Sequence, residues 1–335
     1  MFNLIQKFLF KFDPEVAHQK ALALLKLWGK LPTRKIPATN PIELLGLHFP
    51  NRVGLAAGFD KDGAAIDGLA RLGFGHIEIG TLTPKPQVGN PKPRLFRLSK
   101  YQAIINRMGF NNCGVEQAIE NIKRARYKGI LGINIGKNAS TPIENAADDY
   151  LYGVKKVYPY ASYITINISS PNTQNLRSLQ LGDSLSELLN KLKVAQLALA
   201  EQYKKYVPLA VKIAPDLTDA EIIHITEVIA REKIDAVIAT NTTQARELIA
   251  ADPLAKEAGG LSGAPLTQLS TQVIKILAQN LPKTIPIIAA GGIMSAQDAL
   301  EKLAAGASLV QIYTGFIYRG QQLINEIIQS SGIVK

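Results

Sequence analysis

Lys212 stands inside an apolar run, Leu209-Ala210-Val211-Lys212-Ile213, of the kind that forms a buried strand. Side chains alternate along a strand, so Lys212 shares a face with Ala210 and points away from Val211 and Ile213. An ammonium so placed needs an anionic partner, because an unpaired buried charge is strongly disfavoured. Carboxylates are scarce where other apolar runs end. Those ends read Ala56-Ala57-Gly58-Phe59-Asp60-Lys61, Gly80-Thr81, Asn134-Ile135-Gly136-Lys137-Asn138, Asn167-Ile168-Ser169-Ser170-Pro171-Asn172-Thr173, Thr240-Asn241-Thr242-Thr243, Gly291-Gly292 and Tyr313-Thr314-Gly315. Amides, hydroxyls and lysines dominate. The paired carboxylates of glycosidases, the His/Asp clusters of metal-assisted hydrolysis and the histidine of a serine triad are missing from these ends. The set suits a planar polyamide ligand held beside an organic cofactor that does the chemistry.

Gly291-Gly292 and Tyr313-Thr314-Gly315 follow the seventh and eighth apolar runs, where many barrels bind phosphate through backbone N–H groups. A phosphate-bearing cofactor follows, and FMN fits better than a dinucleotide, whose G-x-G-x-x-G fingerprint after the first strand is missing. A fixed ammonium at Lys212 would favour the reduced flavin, which carries its negative charge near ring nitrogen 1. Ser170, in a rigid loop with Pro171, is the candidate acceptor of a proton as hydride leaves, although a loop serine is most often a turn residue. Cys113, after Asn111-Asn112 at a helix start, reads as a packing residue.

The elements that must position these groups are legible as alternating strands and helices. Apolar runs at 52–57, 76–80, 130–135, 163–168, 209–213, 236–239, 285–289 and 309–313 are followed by helical patterns at 63–72, 114–127, 145–157, 184–205, 218–232, 267–280, 295–304 and 321–330. Eight βα units in this length predict an α/β fold, a (β/α)8 TIM barrel, over an open doubly wound sheet. Leu44 to Phe49 reads as a short strand pair plugging the barrel's bottom. The stretch between the second strand and its helix, with Pro84, Pro86, Pro91 and Pro93, is too long for an ordinary βα connection and predicts a functional excursion.

The first 37 residues are predicted to be a separate helical segment, with the barrel over 38–335. From Phe2 to Phe12 a helical wheel gathers Phe2, Ile5, Phe8, Leu9 and Phe12 on one side and Lys7 and Lys11 on the other. Asp13-Pro14-Glu15 supplies a cap, a first-turn proline and an acidic residue for a second helix through about Trp28. Of 335 residues, 47% are hydrophobic and 19% charged, which excludes bulk disorder, while Lys+Arg 38 against Asp+Glu 27 gives +11 without choosing between nucleic acid, membrane and anionic small ligands. One cysteine and four scattered histidines offer no metal spacing. No apolar run is long enough to span a bilayer, and no signal-peptide pattern is found.

Taken in order, these motifs resemble those of the dihydroorotate dehydrogenase family, in its membrane-associated, quinone-reducing class. The most specific pieces are 56–61, Asn106-Arg107-Met108-Gly109-Phe110, 132–138, 167–173, 211–216, 238–243 and 259–266, and the likeness runs from the N-terminal helices to Gly320. The resemblance implies Ser170 as the base that takes the proton from carbon 5 of dihydroorotate, with Thr173 relaying it. It implies a substrate pocket of Lys61, Asn106, Arg107, Met108, Gly109, Phe110, Asn167, Asn172, Asn241 and Thr242. It implies an FMN site of Ala57, Gly58, Phe59, Asp60, Lys61, Thr81, Asn134, Asn167, Lys212, Thr240, Gly263, Gly292, Tyr313 and Thr314, the last standing where relatives often have serine. His18, Arg97 and Tyr313 match the quinone channel. The soluble classes carry cysteine at the base position, so Ser170 agrees with the N-terminal extension in pointing to the quinone class. The expected partners are dihydroorotate and orotate, a membrane quinone and an anionic membrane surface met by the N-terminal helices, with no nucleic acid and no metal. The expected place is the cytoplasmic side of a bacterial inner membrane, as a peripheral protein. The rivals are an FMN barrel acting on tRNA dihydrouridine and a non-catalytic, membrane-recruited scaffold.

Overall fold

The computed structural model describes residues 2–32 and 38–331. In chain order its strands are β1 (Ile42–Leu44), β2 (Leu47–Phe49), β3 (Val53–Leu55), β4 (His76–Leu82), β5 (Leu95–Leu98), β6 (Ala103–Asn106), β7 (Ile130–Ile135), β8 (Tyr163–Asn167), β9 (Leu209–Ile213), β10 (Ala236–Ala239), β11 (Gly260–Gly263), β12 (Ile287–Ala290) and β13 (Leu309–Ile312). Its α-helices are α1 (Phe2–Leu9), α2 (Pro14–Trp28), α3 (Ile66–Ala70), α4 (Val115–Arg124), α5 (Ala146–Val157), α6 (Gly182–Tyr203), α7 (Asp219–Arg231), α8 (Thr267–Asn280), α9 (Ala296–Ala304), α10 (Thr314–Arg319) and α11 (Gln321–Ser330).

The eight predicted apolar runs are the eight barrel strands. They pair in parallel in the order β3, β4, β7, β8, β9, β10, β12, β13, and β13 closes on β3. Alternation sorts each strand as expected: Val211 and Ile213 pack outward toward the helices, while Ala210, Ala236 and Ile238 face the interior. The antiparallel pair β1 and β2 closes the bottom, with Phe49 fully buried against Ala210, Ala236, Ile238, Ile288 and Leu309. Phe49 also meets the His76 ring edge-on at 5.4 Å. Gly54 makes room for that ring, since a Cβ there would lie 2.0 Å from His76 Nε2. Burial drives the imidazole down to about 3, so it stays neutral.

The proline-rich excursion contains two strands that the sequence pattern does not disclose. β5, β6 and β11 form an antiparallel sheet outside the barrel. Leu98, Ala103, Ile105, Ile249 and Leu261 form its own small core. None of the three has a clean alternation, and Gly260-Leu261-Ser262-Gly263 has low strand propensity, so pairing rather than local preference makes them strands. α3 is also shorter than the expected 63–72, because the Asp60 carboxylate takes the N–H groups of Ala64 and Ala65 at 2.9 and 2.8 Å and holds that stretch in a turn.

At the N-terminus, α1 ends at Leu9 rather than Phe12, followed by a tight turn. Asp13 precedes a proline and is therefore extended, with φ −47° and ψ 139°, and its carboxylate caps α2 by accepting from Glu15 and Val16 N–H. The turn sends Phe10 inward to an edge-on contact with Tyr318, while Phe8, Leu24, Leu27 and Leu31 remain exposed. The expected boundary after residue 37 lies outside the described residues. Among the described residues, no helix is long and apolar enough to cross a membrane.

Candidate active site

The carboxyl ends of the barrel strands surround an open cleft, the concave, polar-lined kind of place where small molecules bind. Its wall carries Ala57, Gly58 and Lys61 after β3, Thr81 from β4, Asn167, Ser170 and Asn172 around the end of β8, and Lys212 from β9. Thr240, Asn241 and Thr242 follow β10, Gly292 follows β12, and Tyr313 and Thr314 follow β13. The outer sheet adds Asn106 at the end of β6, Met108, Gly109 and Phe110 after it, and Gly263 from β11. It also adds Ser262, which the strand-end reading missed along with β11 itself; its hydroxyl accepts from Thr314 Oγ1 at 2.8 Å.

Other expected site residues stand behind this wall. Asp60 turns its carboxylate to α3, as above, and burial raises its carboxyl to about 6. Phe59 packs edge-on between His18 and Phe316, with ring centroids 5.0 and 5.2 Å away. Arg107 pairs with Glu257 at 2.5 Å and lies over the Phe96 ring. Asn134 is one hydrogen bond beneath Thr81, and Thr173 is buried with its hydroxyl unpartnered.

Beneath the wall lies a carboxylate that the strand-end reading did not consider. Glu78 is fully buried inside the barrel and accepts from Asn134 Nδ2 at 2.8 Å, Tyr163 Oη at 2.9 Å and Gln311 Nε2 at 2.8 Å. Asn134 Oδ1 in turn accepts from Thr81 Oγ1 at 2.6 Å, and Thr81 Oγ1 accepts from Asn167 Nδ2 at 2.9 Å. Every donor in this chain points toward Glu78, so the carboxylate fixes how the Asn134 and Asn167 amides face. Period-two alternation from His76 could have found it.

Lys212 is buried and makes no side-chain hydrogen bond among the described residues. Burial pulls its ammonium below the usual lysine value, and Glu78 opposes that pull. Lys61 Nζ donates to Gly58 O at 3.0 Å; burial lowers its ammonium to about 8, with Arg94 lowering and Asp62, Glu15 and Asp60 raising it. Ser170 is buried and, among the described residues, its Oγ accepts only the Asn172 N–H, at 3.2 Å, leaving its proton free to be given elsewhere. No direct hydrogen bond joins Ser170 to Thr173. Asn172 Nδ2 donates to Asn106 O at 3.1 Å, tying the serine loop to the 106–110 segment. At the opposite rim, Gly292 has φ +71°, and a Cβ there would lie 2.3 Å from Thr267 Cα, so this turn requires glycine.

The chain that folds around this cleft of amides, hydroxyls, the buried Lys212 and the half-buried Lys61 is similar to proteins of known kind. The sequence model of the family described as Dihydroorotate dehydrogenase matches residues 41–332. A Chromobacterium violaceum protein named dihydroorotate dehydrogenase (quinone) is 58% identical over 335 residues, covering 99% of this chain and 97% of its own. One of the same name from an Azoarcus species is 57% identical over 332 residues, covering 99% and 98%. The crystal structure of an Eimeria tenella DHODH in complex with ferulenol superposes with a TM-score of 0.89 at 40% identity, covering 95% of this chain and 90% of that one.

The chain belongs to the dihydroorotate dehydrogenase family. Dihydroorotate dehydrogenases are flavin-dependent oxidoreductases of pyrimidine biosynthesis, and the residues here fit a flavin. An unpartnered buried ammonium, amides already oriented by Glu78, and a glycine turn that a Cβ would fill are what a planar, anionic, phosphate-bearing group requires. Of His18, Arg97 and Tyr313, which the sequence resemblance assigns to a quinone channel, two are joined through ring contacts. His18 on α2 meets Phe59, and Phe59 meets Tyr313 at 5.9 Å, making one aromatic path from α2 to the cleft wall. Burial lowers the His18 imidazole to about 3, and Lys61 adds to the effect. Arg97 lies apart from this path, on β5, where it donates to Phe10 O at 3.1 Å and stacks 4.0 Å from the Phe10 ring.

Proposed function

We propose that the protein oxidises dihydroorotate to orotate with FMN as hydride acceptor and a membrane quinone as the final electron acceptor. The observation that carries this reading is one cleft whose wall carries Lys61, the buried Ser170, whose hydroxyl donates to no described residue, and Lys212, which has no side-chain hydrogen bond among the described residues. Lys61 suits the orotate carboxylate, while Asn106, Asn167, Asn172 and Asn241 suit the ring carbonyls and N–H groups. Met108, Gly109, Phe110 and Thr242 complete the substrate side, with Arg107 bracing it from behind. Ser170 takes the proton from carbon 5 and passes it outward toward Thr173, which requires one bridging group because the two hydroxyls are not in direct contact. FMN, when bound, supplies the hydride acceptor for carbon 6 and the route for electrons to the quinone. Ala57, Gly58, Thr81 and Thr240 would hold its ring system, with Asn134 fixing Thr81 from behind, Lys212 would set a positive charge against the reduced ring, and Gly263, Gly292 and Thr314 would hold the phosphate.

Orotate formation from dihydroorotate with a ubiquinone analogue tests the reading. Turnover should require the quinone, and turnover that accepts NAD but no quinone would contradict it. The whole-chain match to enzymes named for quinone reduction leaves the tRNA-acting barrel and the non-catalytic scaffold without support.

Residues 1–37 are read as the segment that meets the membrane and admits quinone by the His18, Phe59 and Tyr313 path, with Arg97 at its flank. Phe8, Leu24, Leu27 and Leu31 are exposed beside Lys7, Lys11, Lys20, Lys26 and Lys30, an arrangement suited to lying in the interface of an anionic bilayer as a peripheral protein on its cytoplasmic side. The protein should therefore co-sediment with phosphatidylglycerol vesicles at low salt and be partly released as salt rises. Equal recovery with neutral vesicles would contradict the electrostatic part.

Lys61 gives the reaction a pH dependence. With its ammonium near 8, it is charged below that pH and neutral above it. Affinity for the dihydroorotate carboxylate should be full below pH 8 and fall about tenfold per unit above it, while bound substrate holds the proton on. A kcat/KM profile that falls above pH 8 with a flatter kcat profile is expected; Lys61→Met should remove the fall.

A further inference from the structure

We infer that Glu15, on the helical segment that precedes the barrel, is a positioning residue for the dihydroorotate half-reaction, acting through Arg94 on the backbone that carries the substrate-facing 106–110 segment. The inference rests on the reading of that segment as substrate-facing.

Glu15 lies in the first turn of α2, and its carboxylate is buried. Both oxygens are taken by one guanidinium: Arg94 Nη2 donates to Oε1 at 2.8 Å and Nε to Oε2 at 3.1 Å. Arg94 is equally buried, and Lys92 Nζ adds a third cationic contact at 3.4 Å. This is the planar two-pronged match that only arginine makes with a carboxylate, and shielding from water raises its strength. The remaining arm of the guanidinium is also committed. Nη1 donates to Val88 O at 2.6 Å and to Asn90 O at 2.9 Å, so the 88–94 loop is wrapped around the arginine side chain.

That loop is the backing of the 106–110 segment. Arg107 N–H donates to Arg94 O at 2.9 Å, Asn90 N–H donates to Met108 O at 3.1 Å, and Asn90 Nδ2 donates to Arg107 O at 2.9 Å. Asn90 Nδ2 also comes within 3.5 Å of Asn172 O, in the loop that carries Ser170. The fit is tight: a Cβ on Gly89 would lie 2.2 Å from Met108 O, and a Cβ on Gly109 would lie 2.8 Å from Asn90 Cγ. A carboxylate on α2 is thus three contacts from the cleft wall. It also balances charge there, because Arg94 depresses the Lys61 ammonium and Glu15 offsets it. Removing Glu15 would leave Arg94 buried and uncompensated, free to withdraw from the loop toward solvent and to weaken Lys61 as an anion receiver.

A carboxylate that merely pinned α2 would show itself in stability or in quinone reoxidation. A positioning role shows itself in flavin reduction. The experiment is anaerobic stopped-flow reduction of the flavin-loaded full chain across a range of dihydroorotate concentrations, followed by reoxidation with a ubiquinone analogue. Glu15→Gln should raise the half-saturating dihydroorotate concentration at least about tenfold, the scale of a lost charge-assisted hydrogen bond, with a smaller change in reoxidation. Glu15→Asp, which keeps the charge, should recover part of the loss, and Arg94→Lys, which keeps a charge but loses the fork, should match Glu15→Gln. If Glu15→Gln does not retain flavin, the comparison of Glu15→Asp with Arg94→Lys in the same assay carries the test. Half-saturation unchanged from wild type in the flavin-retaining variants, or a loss confined to reoxidation, overturns the inference. Wild-type flavin that dihydroorotate does not reduce would instead remove the functional reading on which it rests.

Discussion

Ser170→Ala should leave flavin content and orotate binding nearly intact while the rate of flavin reduction by dihydroorotate falls by about 10²–10⁴-fold, the usual contribution of a general base. Serine is an intrinsically poor base. Its use makes sense when proton removal is assisted by hydride departure and when the hydroxyl can shed its own proton. The geometry meets the second condition: among the described residues Ser170 Oγ accepts one backbone N–H and gives its proton to no group, and the Thr173 hydroxyl nearby in the chain is buried without a partner. Ser170→Cys should restore part of the rate, because a thiol ionises more readily. Cys113 offers no substitute, since burial and Asp62 push its thiol up to about 12. A near-wild-type rate in Ser170→Ala would move the base to another residue.

Lys212 is expected to govern the cofactor rather than the substrate. Lys212→Ala should weaken FMN retention and slow reduction by about 10²–10³-fold, the range seen when a preorganised group opposite developing charge is removed. Lys212→Met, which keeps the bulk of the side chain, separates lost charge from lost packing and should slow reduction comparably. Both should lower the reduction potential, because the reduced, anionic ring loses its fixed counter-charge. Glu78 remains behind in either variant and adds to the effect. Flavin content and potential unchanged from wild type would remove Lys212 from the flavin site and leave it only its electrostatic influence from Glu78.

Much of this architecture was legible in the residues because a parallel barrel announces itself. Strands buried on both faces read as continuous Ile- and Val-rich runs, and all eight were recognisable, with 130–135, 209–213 and 236–239 matched end to end. Lys212 was legible for the same reason, as one charge interrupting such a run. What stayed hidden depends on pairing between distant segments. β11 is a glycine-flanked tetrapeptide that becomes a strand only beside β6, about 150 positions earlier, and it brings Ser262 to the cleft. Glu78 sits within its strand rather than at the end, where attention to barrel chemistry falls. Glu15 reads locally as a first-turn acidic residue and does perform that role; its partnership with Arg94 is tertiary and has no signature in either segment.

Everything proposed for the cleft depends on a flavin and dihydroorotate meeting in it, and the visible spectrum of the purified protein under anaerobic conditions reads that meeting without intermediaries. The protein is expected to be yellow, with an oxidised-flavin spectrum that bleaches when dihydroorotate is added and returns when a quinone is supplied. A yellow protein whose spectrum dihydroorotate leaves untouched, or one that binds no flavin after loading with FMN, would contradict the proposed function.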